Sequence, residues 1–386
     1  MPVDRLALNE EEEKKGSRGG RHTTDELRDL VRSVRSGEFE YEERPKKSLD
    51  WSSYDEAQAY ELADMLYTIR KLVDEAVNRL PAEGLERKGP GRPPIHSPAD
   101  VAKVLLMQSY FGVSNRVAAG LALVFKEKLR LSDTFSYKTV ERGYDPGPVT
   151  RILEGVFRLT NEYGNAKEDT FSTDGSGDPT SNKVNYESVR SEQKRKKDGA
   201  DSGSSSFPSP SQSRRRHDFQ YTESSVGVHT KVYAGFTTTD DHSIGELTFF
   251  PSVTAQTHIN CPSMETMLGD SLYATRQACA IVAGYGARPC FLPKTTSTLR
   301  SHGVPAWKEM TYAFVDDPQE YLGVYHMRSI SETVNSMDKM RFPARIRKKL
   351  SWRKRTEELL RKNVHNARQY SYLRYLEPQL VRPIAG

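Results

Sequence analysis

The chain has few of the features that mark secreted, membrane and zinc-binding proteins. Its 386 residues include three cysteines, Cys261, Cys279 and Cys290. An odd count without paired spacing argues against a disulfide framework and fits a reducing compartment. No Cys/His cluster has the spacing of a zinc site. No apolar run is long enough to span a bilayer, and the first residues lack the apolar core of a signal peptide. We therefore expect a soluble, cytoplasmic protein with no membrane partner.

An excess of one charge sign is also small over the whole chain. The sequence has 57 Lys and Arg against 52 Asp and Glu, a formal charge of +5, which by itself identifies no partner. Cations are concentrated in residues 341–368, which contain eleven Lys and Arg and only two glutamates. Such a stretch is typical of a surface that binds nucleic acid. The alternative is an amphipathic helix in which Leu350, Trp352, Leu359 and Leu360 pack beneath the cations.

The first half of the chain divides into a charged segment and a helical region. Residues 1–46 have mixed charge, and we expect them to be largely disordered or loosely attached, with a short helix near residues 25–34. Residues 47–160 are expected to form a helical DNA-binding region. Within it, apolar residues recur at three- and four-residue steps over 53–80, which predicts a long helix that ends at Pro81.

The helical region contains the outline of a helix-turn-helix. Ser97 and Pro98 begin one helix, and Gly112 to Ser114 break the chain before a second helix. A further short helix after Ser136 exposes Lys138 and Arg142, which we predict to contact DNA. The alternative is a helical bundle without DNA contact.

A Gly/Pro-rich basic linker precedes this outline at residues 84–94 and contains Arg92. It is either a plain linker or a segment whose Arg92 touches the DNA backbone or minor groove.

Residues 166–375 change to a pattern of strands and helices. A short strand is predicted to end at Asp174, before Gly175. Residues 226–239 alternate as one half-buried strand, and residues 244–250 are predicted to return as a second strand. The Ser-rich, basic insert at 187–216 is expected to be disordered.

Further along the chain, a helix is predicted at 274–282 and a short strand at 288–292, followed by a connector at 294–323. The order predicts an α/β fold with a mixed sheet and flanking helices.

Four side chains near the C-terminus share one stripe of a helix predicted at residues 323–342. Tyr325, Arg328, Glu332 and Lys339 lie at offsets that fall within an arc of about 60° on an α-helix. A carboxylate between two cations suits a site that holds a metal ion beside a phosphate. The alternative is a solvated helix face with spaced charge pairs.

Two aspartates give Glu332 potential partners. Asp174 is predicted at a strand end, and Asp270 follows a second apolar turn. With Glu332 on a covering helix, they can bind two Mg²⁺ ions for phosphodiester chemistry, because Mg²⁺ prefers hard oxygen ligands. Each aspartate alone, next to a glycine, is more often a turn residue.

The pattern Tyr-x₂-Arg-x₃-Glu-x₆-Lys resembles the signature of DDE transposases of the "insertion sequence four/five" superfamily. Asp174-Gly and Gly-Asp270-x-x-Tyr273 match the two aspartate motifs in place and order, and the resemblance covers about residues 95–375. It implies an RNase H-like fold and two Mg²⁺ ions, for which Mn²⁺ can substitute. It also implies that the protein binds terminal inverted repeats and target DNA as a homodimer in a prokaryotic cytoplasm, associated with the nucleoid.

The resemblance also implies a role for each matching residue. Asp174, Asp270 and Glu332 would be catalytic metal ligands. Arg328 and Lys339 would contact DNA phosphates, and Tyr325 would contact the backbone near the cleaved end. The long insert and the short connector depart from the commoner pattern, so a hairpin intermediate is not implied. The competing functions are a non-catalytic DNA-binding protein derived from a transposase and a metal-dependent nuclease without strand transfer.

Overall fold

The computed structural model describes residues 22–42, 48–81, 95–184, 217–241, 243–343 and 345–384. The predictions for Arg92 and for the insert at 187–216 lie outside these residues. The helices before the sheet are α1 Thr24–Ser36, α2 Trp51–Arg79, α3 Pro98–Phe111, α4 Asn115–Val124, α5 Lys126–Leu129, α6 Tyr137–Arg142 and α7 Pro148–Gly164. The later helices are α8 Glu246–Asn260, α9 Arg276–Gly284, α10 Pro305–Asp316, α11 Pro318–Tyr325, α12 Ser329–Arg341 and α13 Ser351–Leu376.

The strands form one five-stranded mixed sheet, which confirms the α/β class. They are β1 Thr170–Val184, β2 His217–Gly227, β3 Tyr233–Thr239, β4 Thr266–Gly269 and β5 Arg288–Phe291, in the spatial order β3-β2-β1-β4-β5. β2 is antiparallel to β1 and β3, whereas β4 is parallel to β1 and to β5. β1 is therefore the central strand.

Alternation along the strands places two cores on opposite faces of the sheet. On β3, Tyr233 packs into a core that contains residues of α2, α3, α7 and α13, and the next residue, Ala234, packs into the other. That second core includes Phe171 of β1 and residues of α1, α8, α9, α10 and α11. Because successive side chains of a strand point to opposite faces, the sheet separates the two cores. The helical region and the sheet share the first core.

The helix-turn-helix outline forms as predicted. Ser97 and Ser114 cap α3 and α4 by accepting hydrogen bonds from the backbone N–H groups of Asp100 and Val117. Gly112 ends α3 with φ +62°, a left-handed conformation that glycine adopts without strain. The predicted long helix is also present, as α2.

The prediction of one strand over residues 226–239 is wrong. The chain reverses between β2 and β3, and Lys231 adopts φ +58° in the turn. Val228, Thr230 and Val232 alternate through this turn and are all buried. The alternation therefore came from burial of the turn and did not mark an extended strand.

Residues predicted as a strand at 244–250 form the start of helix α8. Phe250, Val253, Thr254 and Thr257 are its buried residues, at spacings of three and four. This helical period continues beyond the short apolar run that suggested a strand. The predicted connector 294–323 likewise contains α10 and most of α11, whose Trp307, Phe314 and Leu322 are buried.

Part of the N-terminal segment is firmly docked, unlike the loose attachment expected for residues 1–46. Helix α1 has a capping box formed by Thr23 and Glu26, and Leu27 and Val31 are fully buried in the second core. The other residues of that segment before His22, and residues 43–47, are outside the described chain. None of the described helices combines the length and apolar character needed to cross a membrane.

Candidate active site

Helix α12 lies along the central strand and brings polar side chains to it. Ser172 donates its hydroxyl to the carbonyl oxygen of Arg328 (3.1 Å) and to Ser331 Oγ (3.2 Å). Two residues further along β1, the amide of Asn335 donates to Asp174 Oδ2 over 3.2 Å. A step of two residues on a strand matches a step of four on a helix, about 6 Å in each case. The two contacts therefore align α12 with β1.

Asp174 lies within β1, not at its end as predicted, because β1 continues in register with β2 beyond Gly175. Its neighbour on the other side is β4, paired in parallel from Thr170 with Thr266 to Ser172 with Leu268. Continuing that register by two residues places Asp174 beside Asp270, immediately after β4. The prediction that the two aspartates come from adjacent strands therefore agrees with the strand pairing.

The signature helix predicted at 323–342 is interrupted. A 3-10 turn, His326–Arg328, separates α11 from α12, so Tyr325 is not on the same continuous helix as Glu332. Tyr325 is 4% exposed and packs in the second core, with the Arg328 guanidinium 5.6 Å from its ring centre. This burial does not fit the predicted contact of its side chain with the DNA backbone. Tyr325 instead supports Arg328.

Glu332 lies on an exposed flank of α12, next to the side that faces the sheet. Arg328 Nη1 meets its carboxylate at 2.9 Å, with the two side chains 31% and 59% exposed. Lys339 is exposed on the same flank, two turns further along the helix. The structure thus keeps Arg328, Glu332 and Lys339 on one accessible edge, as the offsets predicted.

The carboxylates are close enough to influence one another. Burial raises the pKa of Asp174 to about 6, and the nearby charges of Glu332 and Glu246 add to this effect. Burial and the charge of Asp270 also raise the pKa of Glu246. Asp174, Asp270, Glu332 and Glu246 therefore form one acidic group, in which neighbouring like charges help to raise the pKa values of Asp174 and Glu246.

A second cluster lies around Glu223, next to Glu246, and was not predicted from the sequence. Glu223 on β2 is fully buried and accepts hydrogen bonds from Thr173 (2.9 Å), from Tyr221 (2.8 Å) and from Tyr273. Burial raises the pKa of Glu223 to about 7, although the three hydroxyl donors oppose this shift. The polar spacing of Tyr221 and Glu223 before the apolar part of the hairpin was the available signal.

Gly175, next to Asp174, is required by this cluster. A Cβ at position 175 would collide with the hydroxyl group of Tyr221 and would lie 3.1 Å from Glu246 Oε1. The glycine that the sequence suggested as a turn residue is instead a point of close approach within a strand. It joins the Asp174 side of the site to the Glu223 cluster.

The acidic group has donors that suit a hard divalent cation, because carboxylate oxygens are the ligands that Mg²⁺ prefers. Burial is the main cause of the raised pKa of Asp174, and a bound cation would offset the added effect of the charges of Glu332 and Glu246. Among the described residues, however, the set whose ligand atoms all lie within 4.8 Å of one another is Glu168, Asp169 and His229. Glu332 would have to leave Arg328 to join the two aspartates.

The Glu168 group has a structural role that accounts for its position. Glu168 accepts hydrogen bonds from the backbone N–H groups of Thr170, His229 and Thr230, and its Oε1 lies 2.9 Å from His229 Nδ1. Both carboxylate oxygens are therefore engaged in fastening the β2–β3 turn to the start of β1.

The basic stretch at 341–368 is largely neutralised inside the protein, which corrects the prediction of a nucleic-acid surface for most of its cations. These cations pair with carboxylates from distant segments: Arg341 and Arg368 with Glu61, Lys348 and Arg353 with Glu141, Arg353 with Asp145, Lys354 with Asp240, Arg361 with Asp178, and Lys362 with Asp338. The reason is that α13 is the central helix of the first core, where a charge needs a partner. Of the four apolar residues predicted to pack beneath the cations, Leu359 and Leu360 are buried in the first core, whereas Leu350 and Trp352 are 43% and 47% exposed.

The two cations predicted on the short helix are exposed. Lys138 and Arg142 lie on α6, which packs against α3 and α4.

No protein-family model, curated protein or solved structure matches this chain.

Proposed function

We propose that the chain is a metal-dependent DNA transposase, which cleaves phosphodiester bonds at the ends of a mobile element and joins them to target DNA. The observation that carries this proposal is the alignment of Asp174 and Asp270 on neighbouring parallel strands, with Glu332 electrostatically coupled to Asp174 from a covering helix. Three carboxylates in this arrangement suit two-metal phosphodiester chemistry.

The sheet supports the same proposal. A central β1 with antiparallel β2 on one side and parallel β4 on the other is compatible with an RNase H-like fold. The Tyr325, Arg328, Glu332 and Lys339 pattern adds the family resemblance.

Each residue of the site has a distinct part in this proposal. Asp174, Asp270 and Glu332 would hold Mg²⁺, or Mn²⁺ in its place, and bound divalent cations supply stabilisation of charge on phosphate oxygens. Asn335 donates to Asp174, and Arg328 pairs with Glu332. Arg328, in the turn before α12, and Lys339, on the exposed flank of α12, would contact phosphates.

The test uses purified full-length protein, Mg²⁺ and a plasmid that carries the DNA flanking the gene on both sides. We expect nicked and joined products from the natural chain, and loss of both products from Asp174→Asn and Asp270→Asn without loss of DNA binding. The matched control is Glu265→Gln, because Glu265 is an exposed acid directly before β4. This variant should leave the products unchanged. Cleavage that persists in Glu332→Gln would remove Glu332 from the site.

One observation favours the alternative of a non-catalytic DNA-binding protein. Glu332 is paired with Arg328, so the three carboxylates do not converge on one point. Binding of the flanking DNA with no cleavage in Mg²⁺ or Mn²⁺ would support this alternative, and cleavage without joining would indicate a nuclease.

A further inference from the structure

A cavity of about 510 Å³ lies between the turn that joins α3 to α4 and the segment that joins α12 to α13. Gly112 and Ser114 line one wall, and Pro343 and Lys349 line the other. Its volume falls in the range of pockets that hold small ligands, about 300–1,000 Å³. The cavity is therefore large enough for a nucleotide unit.

Among the charged residues that line the cavity, cations outnumber carboxylates. Five cations and two carboxylates line it: Arg347, Lys348, Lys349, Arg353 and Arg361, with Glu141 and Glu357. Asp145 and Asp178 pair with Arg353 (2.6 Å) and Arg361 (3.2 Å) from outside the lining.

The five cations exceed these four carboxylates by one positive charge, and Arg347 and Lys349 are the two lining cations whose side chains form no ion pair with any of the four. Glu141 accepts from Lys348 at 2.7 Å, and Glu357 accepts the backbone N–H groups of Arg347 (3.0 Å) and Lys348 (2.9 Å). Arg347 Nη2 donates to the carbonyl oxygen of Gly112 over 2.8 Å, so it spans the two walls without neutralisation by that contact. Lys349 is exposed and has no carboxylate partner in the described part of the chain.

The aromatic rings of the cavity are already covered by cations. Lys348 Nζ lies 3.7 Å from the ring centre of Tyr144, and the Arg361 guanidinium lies 5.7 Å from that of Phe342. A base could not stack on those covered faces, so recognition depends on charge. A backbone phosphate is a ligand of this kind, because its contacts position a strand by charge without reading its sequence. The N-terminus of α4, at Asn115, adds a partial positive charge to the same wall.

We propose that this cavity is a phosphodiester anchor, in which Arg347 and Lys349 hold a backbone phosphate of a bound DNA strand at the junction of the helix-turn-helix and α13. This inference rests on the proposed function, because that function supplies the DNA. In this proposal the phosphate is bound by Arg347 and Lys349, two exposed cations of the basic stretch that line the same cavity. The ion-paired cations of the stretch do not bind it.

The test measures binding of a short fluorescently labelled duplex of flanking DNA by anisotropy over a range of salt concentrations. The double variant Arg347→Ala/Lys349→Ala is compared with Arg32→Ala/Lys308→Ala, which removes the same two charges from exposed positions on α1 and α10. We expect the cavity variant to bind on the order of tenfold more weakly per lost phosphate contact at low salt, and its salt slope to fall by about 0.9 per contact. The control should keep the natural slope.

Inorganic phosphate and a mononucleotide are used as competitors to identify the source of the ligand. The proposal would be overturned if the cavity variant lost phosphate binding but kept its DNA affinity. The ligand of the cavity would then be a free phosphate compound. Equal slopes for the two double variants would also overturn it, while cleavage of DNA by the natural chain would leave the proposed function standing. A natural chain that binds no DNA would overturn both.

Discussion

Asn335 donates its side-chain amide to Asp174, and this contact connects the covering helix to the central strand over 3.2 Å. The hydrogen bond to the carboxylate favours its charged form, whereas burial and the charges of Glu332 and Glu246 oppose it. The native fold therefore maintains a carboxylate that would ionise more readily in the unfolded chain. Such an imbalance is expected of acids that serve a site more than they serve stability.

Asp174→Asn should stabilise the metal-free protein at alkaline pH. The native pKa of about 6 lies above the value of 3.8 for an ordinary aspartate, so the native state binds the proton more tightly than the unfolded state does. Its contribution to stability is present below pH 4 and is lost as the pH rises through 6, by about 2 kcal/mol after allowance for solvent screening. Urea unfolding in a chelator should show the variant more stable at pH 8 and equal at pH 4. Equal stability at both values would contradict the assigned burial and charge coupling.

Asp338→Asn should destabilise the protein strongly. Burial alone would raise the pKa of Asp338, but the charges of His365 and Lys362, with hydrogen bonds from His365 and Tyr233, bring it well below the usual range. Breaking this buried group leaves Lys362 without its partner, at a cost of about 3–5 kcal/mol. The carboxylate's contribution is present above pH 4 and is lost as the solution is made more acidic. Urea unfolding at pH 7 measures the loss, and the exposed Asp55→Asn should change stability little.

Gly175→Ala should destabilise the chain, and the loss should depend on Tyr221. The added methyl group would collide with the Tyr221 hydroxyl, and overpacking of this kind typically costs about 1–3 kcal/mol. Tyr221→Phe reduces the collision, so Gly175→Ala should cost less stability in that variant than in the natural chain. A double-mutant cycle should therefore give a coupling free energy opposite in sign to the destabilisation by Gly175→Ala alone. Gly284→Ala is the control, because a Cβ there would meet nothing within 4 Å. Additive effects at positions 175 and 221 would disprove the close approach.

Arg328→Ala should separate stability from activity. The Arg328–Glu332 pair is partly exposed, and pairs of this kind contribute about 0–1 kcal/mol to stability. Under the proposed function the same substitution removes a cation that would contact a DNA phosphate, so cleavage of flanking DNA should fall on the order of a hundredfold. Thermal unfolding and the plasmid assay check the two parts. A large drop in melting temperature would show instead that Arg328 mainly supports the fold through Tyr325.

Local patterns predicted the parts of the fold that depend on local interactions. Ser97, Gly112 and Ser114 marked the ends of α3 and α4, because caps and left-handed glycines act within one turn. The order of Asp174 and Asp270 also indicated that the two aspartates come from adjacent strands, which agrees with the parallel pairing of β1 and β4.

Features that depend on remote partners could not be predicted in this way. The cations at 341–368 find carboxylates as distant as Glu61, and no spacing along the chain reveals such a pairing. Glu223 likewise becomes part of the site only when Tyr273 folds against β2. The prediction of one strand over residues 226–239 was wrong because a buried turn and a strand can show the same alternation of apolar and polar residues.

Helix α13 follows α2, α3 and α7 in the chain, yet it lies at the centre of the first core, against all three. The helical region therefore cannot bury its apolar surface while it is being synthesised, although N-terminal domains generally fold first. Until residues 351–376 emerge, Leu105 and Ile152 lack a central helix to pack around. The first core therefore becomes complete only after residues 351–376 have been synthesised, although most of its helices precede them in the chain.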